Sequence, residues 1–167
     1  MLKHFLLCML LVSLAIPSHA LESGTPEIYA LSFETPGGEP YALAQHRGEV
    51  LLVNFWATWC PPCVKEMPEL DKLEQVFAGQ PFSVLAISAG ETAADIDTFT
   101  SALATPLGLQ ILLDTEGRTF TEFNLKGLPM SYLFNSEGEL VEVVAGAKEW
   151  ASEEWQGRIR ELLPATP

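Results

Sequence analysis

The 167-residue sequence is poor in basic residues and in cysteine. It has 9 lysines and arginines against 22 aspartates and glutamates, for a formal net charge of −13 at pH 7. Nucleic acid and anionic membrane surfaces are poor partners for a chain this acidic. There are 3 cysteines, and one of them, Cys8, lies in an N-terminal apolar run. Cys60 and Cys63 therefore carry the thiol chemistry of the remaining chain.

The N-terminal apolar run is too short to span a bilayer. It extends from Phe5 to Ile16, about 12 residues, whereas a spanning helix needs roughly 20. Lys3 precedes it, and Ser18-His19-Ala20 places small residues where a signal peptidase reads. We predict a secretory signal over residues 1–20, with a marginal uncleaved anchor as the alternative. One domain over residues 21–167 would then lie outside the cytoplasm, where disulfides persist.

Apolar patterning of the remaining chain predicts an α/β domain. The nearly continuous apolar run Val50–Trp56 is typical of a central strand buried on both faces. The predicted order, β-β-β-α-β-α-β-(α)-β-β-α, implies a mixed sheet between helices. Pro68 should kink the first helix. The other predicted strands are Ile28–Phe33, Tyr41–Leu43, Phe82–Ser88, Leu109–Asp114 and a hairpin of 130–135 with 139–144; the helices are Pro61 to about Ala78, Ala93–Leu103, a turn at Thr119–Phe123, and Glu153–Leu163 capped by Ser152.

The cysteine pair lies in the stretch NFWATWCPPCVKE, residues 54–66. A zinc site needs about four ligands, and beyond the signal the only histidine is His46. Covalent haem attachment needs a histidine directly after the second cysteine, where Val64 stands. A purely structural disulfide across so short a loop would contribute only about 2 kcal/mol. The spacing, between a buried strand and a helix start, favours a redox-active pair.

The position of the pair assigns different roles to the two sulfurs. A helix N-terminus offers a positive dipole end and free N–H groups that stabilise a thiolate. We therefore predict Cys60 to be the exposed, attacking cysteine. Cys63, one turn into the helix and more covered, would attack back. Pro61 and Pro62 carry no N–H, so they leave fewer donors facing the Cys60 sulfur, and they stiffen the loop.

Glu66 falls on the apolar face of the predicted helix, together with Cys63 and Leu70. We expect its carboxyl group to lie beneath the disulfide, where desolvation raises its pKa. Such a group can donate protons to thiols and accept them. The alternative is an exposed glutamate that stabilises the helix dipole. Asn54 interrupts the buried strand just ahead of the cysteines, where a hydrogen bond from it would order the turn.

The stretch VNFWATWCPPCVKEMPEL, residues 53–70, resembles the exported TlpA/ResA-like branch of the thioredoxin superfamily. FETPGGEPYALAQHRGE, GLPMSYLFNSEGELV and GAKEW also match that branch. Together these stretches cover nearly all of residues 21–167. The resemblance implies a thioredoxin fold, a central mixed sheet flanked by helices with an added N-terminal β-hairpin. It also implies thiol–disulfide exchange through the Cys60–Cys63 disulfide, with no other cofactor and no metal.

Residue by residue, the resemblance makes Cys60 the attacking cysteine and Cys63 the resolving one. Glu66 matches a buried glutamate of the branch, and Asn54 stands where cytoplasmic thioredoxins carry a buried aspartate. Glu66 is therefore the expected proton handler. Pro129 matches the cis-proline. The residues expected to contact substrate are Trp59, Pro61, Pro62, Leu128 and Pro129.

Two positions depart from the branch. Met130 follows the cis-proline where threonine is usual, which alters the groove beside the disulfide. Glu49 stands where lysine is common, at a peripheral position.

The sequence thus predicts a periplasmic thiol–disulfide oxidoreductase, and the branch favours disulfide reduction. Its partners would be proteins with disulfides or dithiols and a membrane electron donor, without nucleic acid. Apo-cytochrome c is a candidate substrate by resemblance. The alternatives are an oxidase of the same fold, a thiol peroxidase, and a non-catalytic metal-chaperone module. No arginine flanks Cys60 as in such peroxidases, and the single histidine His46 precedes the motif, unlike in copper carriers.

Overall fold

The protein is described here by a computed structural model that covers residues 26–165. Both 3₁₀ turns, Ile28–Ala30 and Leu43–His46, lie near the N-terminal end of this range. The strands and helices follow in chain order as β1 (Ser32–Glu34), β2 (Pro40–Ala42), β3 (Val50–Trp56), α1 (Pro61–Val76), β4 (Phe82–Ala89), α2 (Ala93–Ser101), β5 (Gln110–Asp114), α3 (Thr119–Glu122), β6 (Met130–Phe134), β7 (Leu140–Ala145) and α4 (Glu153–Leu162).

Within the described range, seven strands form one mixed sheet in the order β2-β1-β5-β4-β3-β6-β7. β3, β4 and β5 are parallel, so their carboxyl ends meet at one edge of the sheet. β6 runs antiparallel to β3, with Met130 paired to Phe55. The start of β6 therefore lies beside the end of β3, where the chain enters the cysteine loop.

β3 lies at the centre of the core, and all seven of its residues are buried. Leu52 and Trp56 belong to a cluster that includes residues of α1, α2 and α4. Val53 and Phe55 belong to a second cluster with Phe123, which follows α3, and with residues of the 3₁₀ turns. Because side chains alternate along a strand, a strand covered on both faces must be apolar throughout. The predicted central strand is confirmed.

The predicted strand Ile28–Phe33 is wrong over its first half. Ile28–Ala30 is a 3₁₀ turn, in which the Ala30 N–H donates to the Glu27 carbonyl at 3.0 Å. Ile28 and Tyr29 are both buried in the same cluster. An extended strand would send these neighbours to opposite faces, so the turn is what buries both. Likewise, Leu43 belongs to the second 3₁₀ turn and not to β2.

The helices agree with the sequence patterns more closely. α1 begins at Pro61 and continues through the exposed Pro68 to Val76. α2 ends at Ser101, two residues before the predicted Leu103. Ser152 is the N-cap of α4, although its side chain makes no capping hydrogen bond within the described residues.

The predicted signal over residues 1–20 lies outside the described residues. Between residues 26 and 165, no helix has the length and apolar character required to cross a membrane.

Candidate active site

Cys60 and Cys63 form a disulfide at the N-terminus of α1, with their Cα atoms 5.3 Å apart. Cys60 is the N-cap residue. Its N–H donates to the Ala57 carbonyl at 3.2 Å, and its carbonyl accepts from the Val64 N–H at 3.1 Å. The Cys-Pro-Pro-Cys spacing therefore places both sulfurs within the first helical turn without interrupting the helix.

Cys60 is more exposed than Cys63, as predicted, but the difference is smaller than expected. Cys60 is 5% exposed and Cys63 is 0% exposed. The prediction that Cys60 is exposed is wrong for the disulfide form. Its sulfur is bonded to that of the fully buried Cys63, and both residues belong to the cluster beneath α1.

The end of α1 presents few N–H groups to the Cys60 sulfur. Pro61 and Pro62 occupy the first two helical positions, and neither carries an N–H. Cys63 is therefore the first helical residue with a backbone donor. Stabilisation of a Cys60 thiolate would depend on that N–H and on the helix dipole.

The predicted substrate-contact residues surround the disulfide loop. Trp59 is 65% exposed, and Pro61 and Pro62 are exposed as well. The Leu128–Pro129 peptide bond is cis, as predicted. Leu128 packs against the apolar cluster that contains both cysteines. The five residues thus flank the end of β3 and the start of β6, and their contact with substrate remains a prediction.

Met130, which departs from the branch pattern, points its sulfur toward the preceding loop. Its Sδ accepts from the Lys126 N–H at 3.3 Å, and the residue is 8% exposed. Met130 thus accepts a hydrogen bond from the loop that precedes the cis-proline.

Glu66 is 1% exposed, which confirms its predicted inward orientation. Its Oε1 accepts from Asn54 Nδ2 at 2.9 Å. Its Oε2 accepts from Trp150 Nε1 at 2.9 Å and from the Lys148 N–H at 3.1 Å. A buried carboxylate with these partners is fixed in position and hydrogen-bonded through both oxygens.

Desolvation and hydrogen bonding have opposite effects on the pKa of Glu66. Burial raises the pKa of Glu66, because desolvation disfavours the ionised form. The hydrogen bonds from Trp150, Asn54 and Lys148 act in the opposite direction, and the desolvation effect is larger. The carboxyl group therefore holds its proton to higher pH than a solvated glutamate does.

Asn54 connects β3 to both neighbours of the site. Besides Glu66, its Nδ2 donates to Ser131 Oγ at 2.9 Å, and the residue is fully buried. The expectation that Asn54 orders the turn is wrong, because its hydrogen bonds go to α1 and β6.

Sequence reasoning missed Glu91, which anchors the turn before the cysteines. Its Oε2 accepts from the Thr58 N–H at 2.9 Å and from the Ser88 hydroxyl at 2.6 Å. Its Oε1 accepts from the Thr58 hydroxyl. A signal was present, because Glu91 follows β4 at the edge where β3 delivers the cysteines. Polar side chains beyond the carboxyl ends of parallel strands are candidates for a site.

A cleft of about 580 Å³ opens on the other side of Glu66, between α1 and the segment 147–152. The charged residues that line it besides Glu66 are Lys65, Glu69, Lys148 and Glu149. As for metals, residues 26–165 contain no cluster of three or more histidine, cysteine or acidic side chains able to hold one.

Comparison with known proteins agrees with this geometry. The AhpC/TSA family matches residues 26–143. The thiol-disulfide oxidoreductase ResA of Geobacillus kaustophilus is 29% identical over 109 residues, which are 65% of this chain and 62% of that protein. ResA of Bacillus subtilis is 30% identical over 113 residues, 68% of this chain and 62% of that protein. The chain thus spans 62% of the length of each of these two relatives.

Solved structures share the fold. A thiol:disulfide interchange protein of the thioredoxin family from Chlorobium tepidum TLS superposes with a TM-score of 0.70 at 24% identity. The superposition covers 84% of this chain and 97% of that one. The protein therefore has a thioredoxin-like fold with an added N-terminal hairpin, as predicted. The chain belongs to the AhpC/TSA family, and the predicted resemblance to ResA-like proteins is confirmed.

Proposed function

We propose that this protein is an exported thiol–disulfide oxidoreductase that reduces disulfides in periplasmic proteins. One observation supports this more than any other. The Cys60–Cys63 disulfide lies at a helix N-terminus, and one turn further along the same helix is the buried, triply hydrogen-bonded Glu66. The relatives named thiol-disulfide oxidoreductase ResA support the same reaction class.

In the proposed reaction, the reduced enzyme gives two electrons to the substrate. The Cys60 thiolate attacks one sulfur of a substrate disulfide, and the other substrate sulfur leaves as a thiolate that takes up a proton. The Cys63 thiol then loses its proton and attacks the Cys60 sulfur of the mixed disulfide, and the second substrate sulfur leaves as a thiolate that takes up a proton. The products are a substrate dithiol and the oxidised Cys60–Cys63 pair.

Glu66 is the proposed acceptor for the Cys63 proton. A general base should have a pKa near the working pH. Burial raises the pKa of Glu66 above its ordinary value and so brings it closer to a neutral working pH. In the reverse step, the protonated carboxyl returns the proton to the thiol.

The compartment makes an electron donor necessary. The N-terminal sequence suggests export, and an oxidising compartment would keep the pair as a disulfide. A dithiol protein of the membrane is the proposed donor of two electrons and two protons per cycle. Apo-cytochrome c, whose haem-attachment cysteines can oxidise to a disulfide, is the proposed substrate class, on the likeness to the ResA branch.

The test has two readouts. Equilibration with glutathione buffers should give a reduction potential well below that of the compartment, whereas a potential above it would indicate an oxidase. The reduced protein should also reduce a model protein disulfide, and Cys60→Ser should abolish this activity. Cys63→Ser should accumulate mixed disulfides through Cys60, visible by mass spectrometry. Turnover of hydrogen peroxide without disulfide reduction would overturn the proposal in favour of a peroxidase.

A further inference from the structure

The hydrogen bonds around Glu66 suit its ionised form only. Asn54 Nδ2, Trp150 Nε1 and the Lys148 N–H are all donors. When Glu66 takes up a proton, its new O–H needs an acceptor, since a buried unpaired hydroxyl costs about 1–3 kcal/mol. Oε2 already accepts two of the three donors, so the proton is best placed on Oε1, which faces Asn54.

An unused acceptor lies on that same side chain. Asn54 Oδ1 is buried and has no hydrogen-bond partner within residues 26–165. Nδ2 meanwhile lies 2.9 Å from both Glu66 Oε1 and Ser131 Oγ. Turning the amide by 180° would exchange the two atoms. Oδ1 would then accept from the Glu66 O–H and from the Ser131 hydroxyl, which can donate as well as accept.

We propose that Asn54 is a positioning residue whose side-chain amide turns over when Glu66 is protonated. The inference rests on the proposed function, in which Glu66 takes up and releases a proton in every cycle. With the amide as it stands, Asn54 holds the carboxylate as a donor. After the turn it holds the carboxylic acid as an acceptor. Both protonation states of Glu66 are then kept in the same place beneath the cysteines.

The energetic balance favours the turn only for the protonated acid. The turn leaves the NH₂ group unpartnered in place of the carbonyl oxygen, so it is unfavourable while Glu66 is charged. After protonation, the amide in its present orientation would place its N–H donor opposite the new O–H donor, with no acceptor between them. The charged residues that line the cleft beside Glu66 are Lys65 and Glu69 on α1 and Lys148 and Glu149 on the segment before α4. None of them replaces Asn54 on the interior side.

The amide can be observed directly by NMR in the oxidised protein, where the cysteines do not titrate. The carboxyl carbon shift of Glu66 reports its protonation. We expect cross-peaks between the Asn54 amide protons and the Ser131 β-protons while Glu66 is ionised. These cross-peaks should weaken severalfold as Glu66 becomes protonated. Cross-peaks that persist unchanged through the Glu66 titration would overturn the proposal.

Asn135 provides a matched internal control. Its Nδ2 also donates to a carboxylate, that of Glu139, at 2.9 Å. Its Oδ1, however, accepts from the N–H groups of Glu137 and Glu139 at 3.1 and 2.9 Å. Two backbone donors therefore fix this amide. Its orientation should stay constant over the same pH range, so a loss of cross-peaks at Asn54 alone cannot come from a general change with pH.

A second experiment asks whether Asn54 affects the cysteines. Asn54→Asp places a second carboxyl group beside Glu66, and two such groups share one proton until the pH is raised. Once the shared proton is lost, the second negative charge disfavours the thiolate. The pH midpoint of Cys60 alkylation should therefore rise by about one unit or more. Below the midpoint, the variant should then be alkylated about tenfold more slowly than the wild type. Ser83→Ala, which removes a hydroxyl bonded to Glu49 at the far end of β4, should leave the profile unchanged.

An Asn54→Asp profile equal to that of the wild type would overturn the role of residue 54 as a positioning residue for the site, whereas the turn of the amide is tested by the NMR measurement. These outcomes are separate from a failure of the proposed function. The NMR measurement uses neither substrate nor reductant, whereas the proposed function is tested by the reduction potential of the cysteine pair and by reduction of a protein disulfide.

Discussion

The indole Nε1 of Trp150 donates to Oε2 of Glu66 at 2.9 Å, across 84 residues of sequence. Trp150 is fully buried and precedes α4, whereas Glu66 lies in the first turns of α1. The contact joins α1 to the segment that precedes α4. It also supplies a neutral donor to a buried charge, and hydrogen bonds to charged groups are among the stronger ones.

Trp150→Phe keeps an aromatic ring in the core and removes this donor. We expect the pKa of Glu66 to rise further, because the hydrogen bond from Trp150, which lowers this pKa against the effect of desolvation, is lost. The free energy of unfolding at neutral pH should fall by about 2 kcal/mol, the contribution of a hydrogen bond to a charged group. NMR titration of the Glu66 carboxyl carbon and chemical denaturation measure the two effects.

Trp155→Phe is the matched control for this prediction. The ring centroid of Trp155 lies 4.5 Å from that of Trp150, and Trp155 is not among the donors to Glu66 within residues 26–165. If both variants shift the titration equally, the effect comes from aromatic packing and the hydrogen bond is unimportant.

Glu66→Gln should change the reactivity of Cys60 while keeping the shape of the side chain. An ionised Glu66 disfavours a nearby thiolate, so the two titrations are coupled. Removing the charge should make Cys60 alkylation severalfold faster at pH values where wild-type Glu66 is ionised. The rates are measured from pH 4 to pH 10 on both reduced proteins. Superimposable curves would leave Glu66 with a structural role only.

The stability of the oxidised protein should depend on pH through the same group. Burial raises the pKa of Glu66 in the folded state, whereas the unfolded value is about 4.3. Between the two values the folded protein binds more protons than the unfolded chain, so stability falls as the pH rises. Glu66→Gln removes this contribution. Its stability relative to the wild type should increase from pH 4 upward and level off above the folded pKa, as measured by urea denaturation.

Much of the architecture was predictable because it depends on local pattern. The seven apolar residues of β3 indicate a strand buried on both faces, and the helical spacing from Cys63 to Leu70 places Glu66 inward. The Ile28–Ala30 turn was not predictable, since a short apolar stretch is equally compatible with a strand. Thr58, which donates to Glu91, lies 33 residues from it, and Trp150, which donates to Glu66, lies 84 residues from it. Such pairs depend on strand order and loop paths, which local pattern does not contain.

Glu91→Ala should destabilise the protein and loosen the turn before Cys60. The substitution leaves the Thr58 N–H and the hydroxyls of Thr58 and Ser88 without their acceptor. An unpaired buried donor costs about 1–3 kcal/mol. The Ser88 hydroxyl is buried and the two Thr58 donors are half-buried, so we expect a loss of about 3 kcal/mol in all. Urea denaturation measures the loss, and hydrogen exchange at the Thr58 amide measures the loosening.

Glu116→Ala is the control for this prediction, because the Glu116 side chain is 79% exposed at the surface. Its effect should stay within about 0.5 kcal/mol. A loss at Glu91 no larger than this would show that the turn is held by other contacts.

The two prolines between the cysteines should differ in their effect on the Cys60 thiol. Pro61 and Pro62 occupy the first and second helical positions after the N-cap Cys60. The N–H groups of the second and third positions are the ones that point at an N-cap side chain. Pro62→Ala restores such a donor, so it should lower the pKa of the reduced Cys60 thiol. Pro61→Ala restores an N–H at the first position and should lower that pKa less.

The thiolate absorbance of each reduced variant, followed against pH, gives the two thiol pKa values. Both substitutions remove one proline ring from the same loop, so a change in loop stiffness should affect them alike. The difference between them isolates the added donor. If Pro61→Ala lowers the Cys60 pKa as much as Pro62→Ala does, the effect belongs to loop flexibility. The missing N–H at the second helical position would then have no part in setting the reactivity of Cys60.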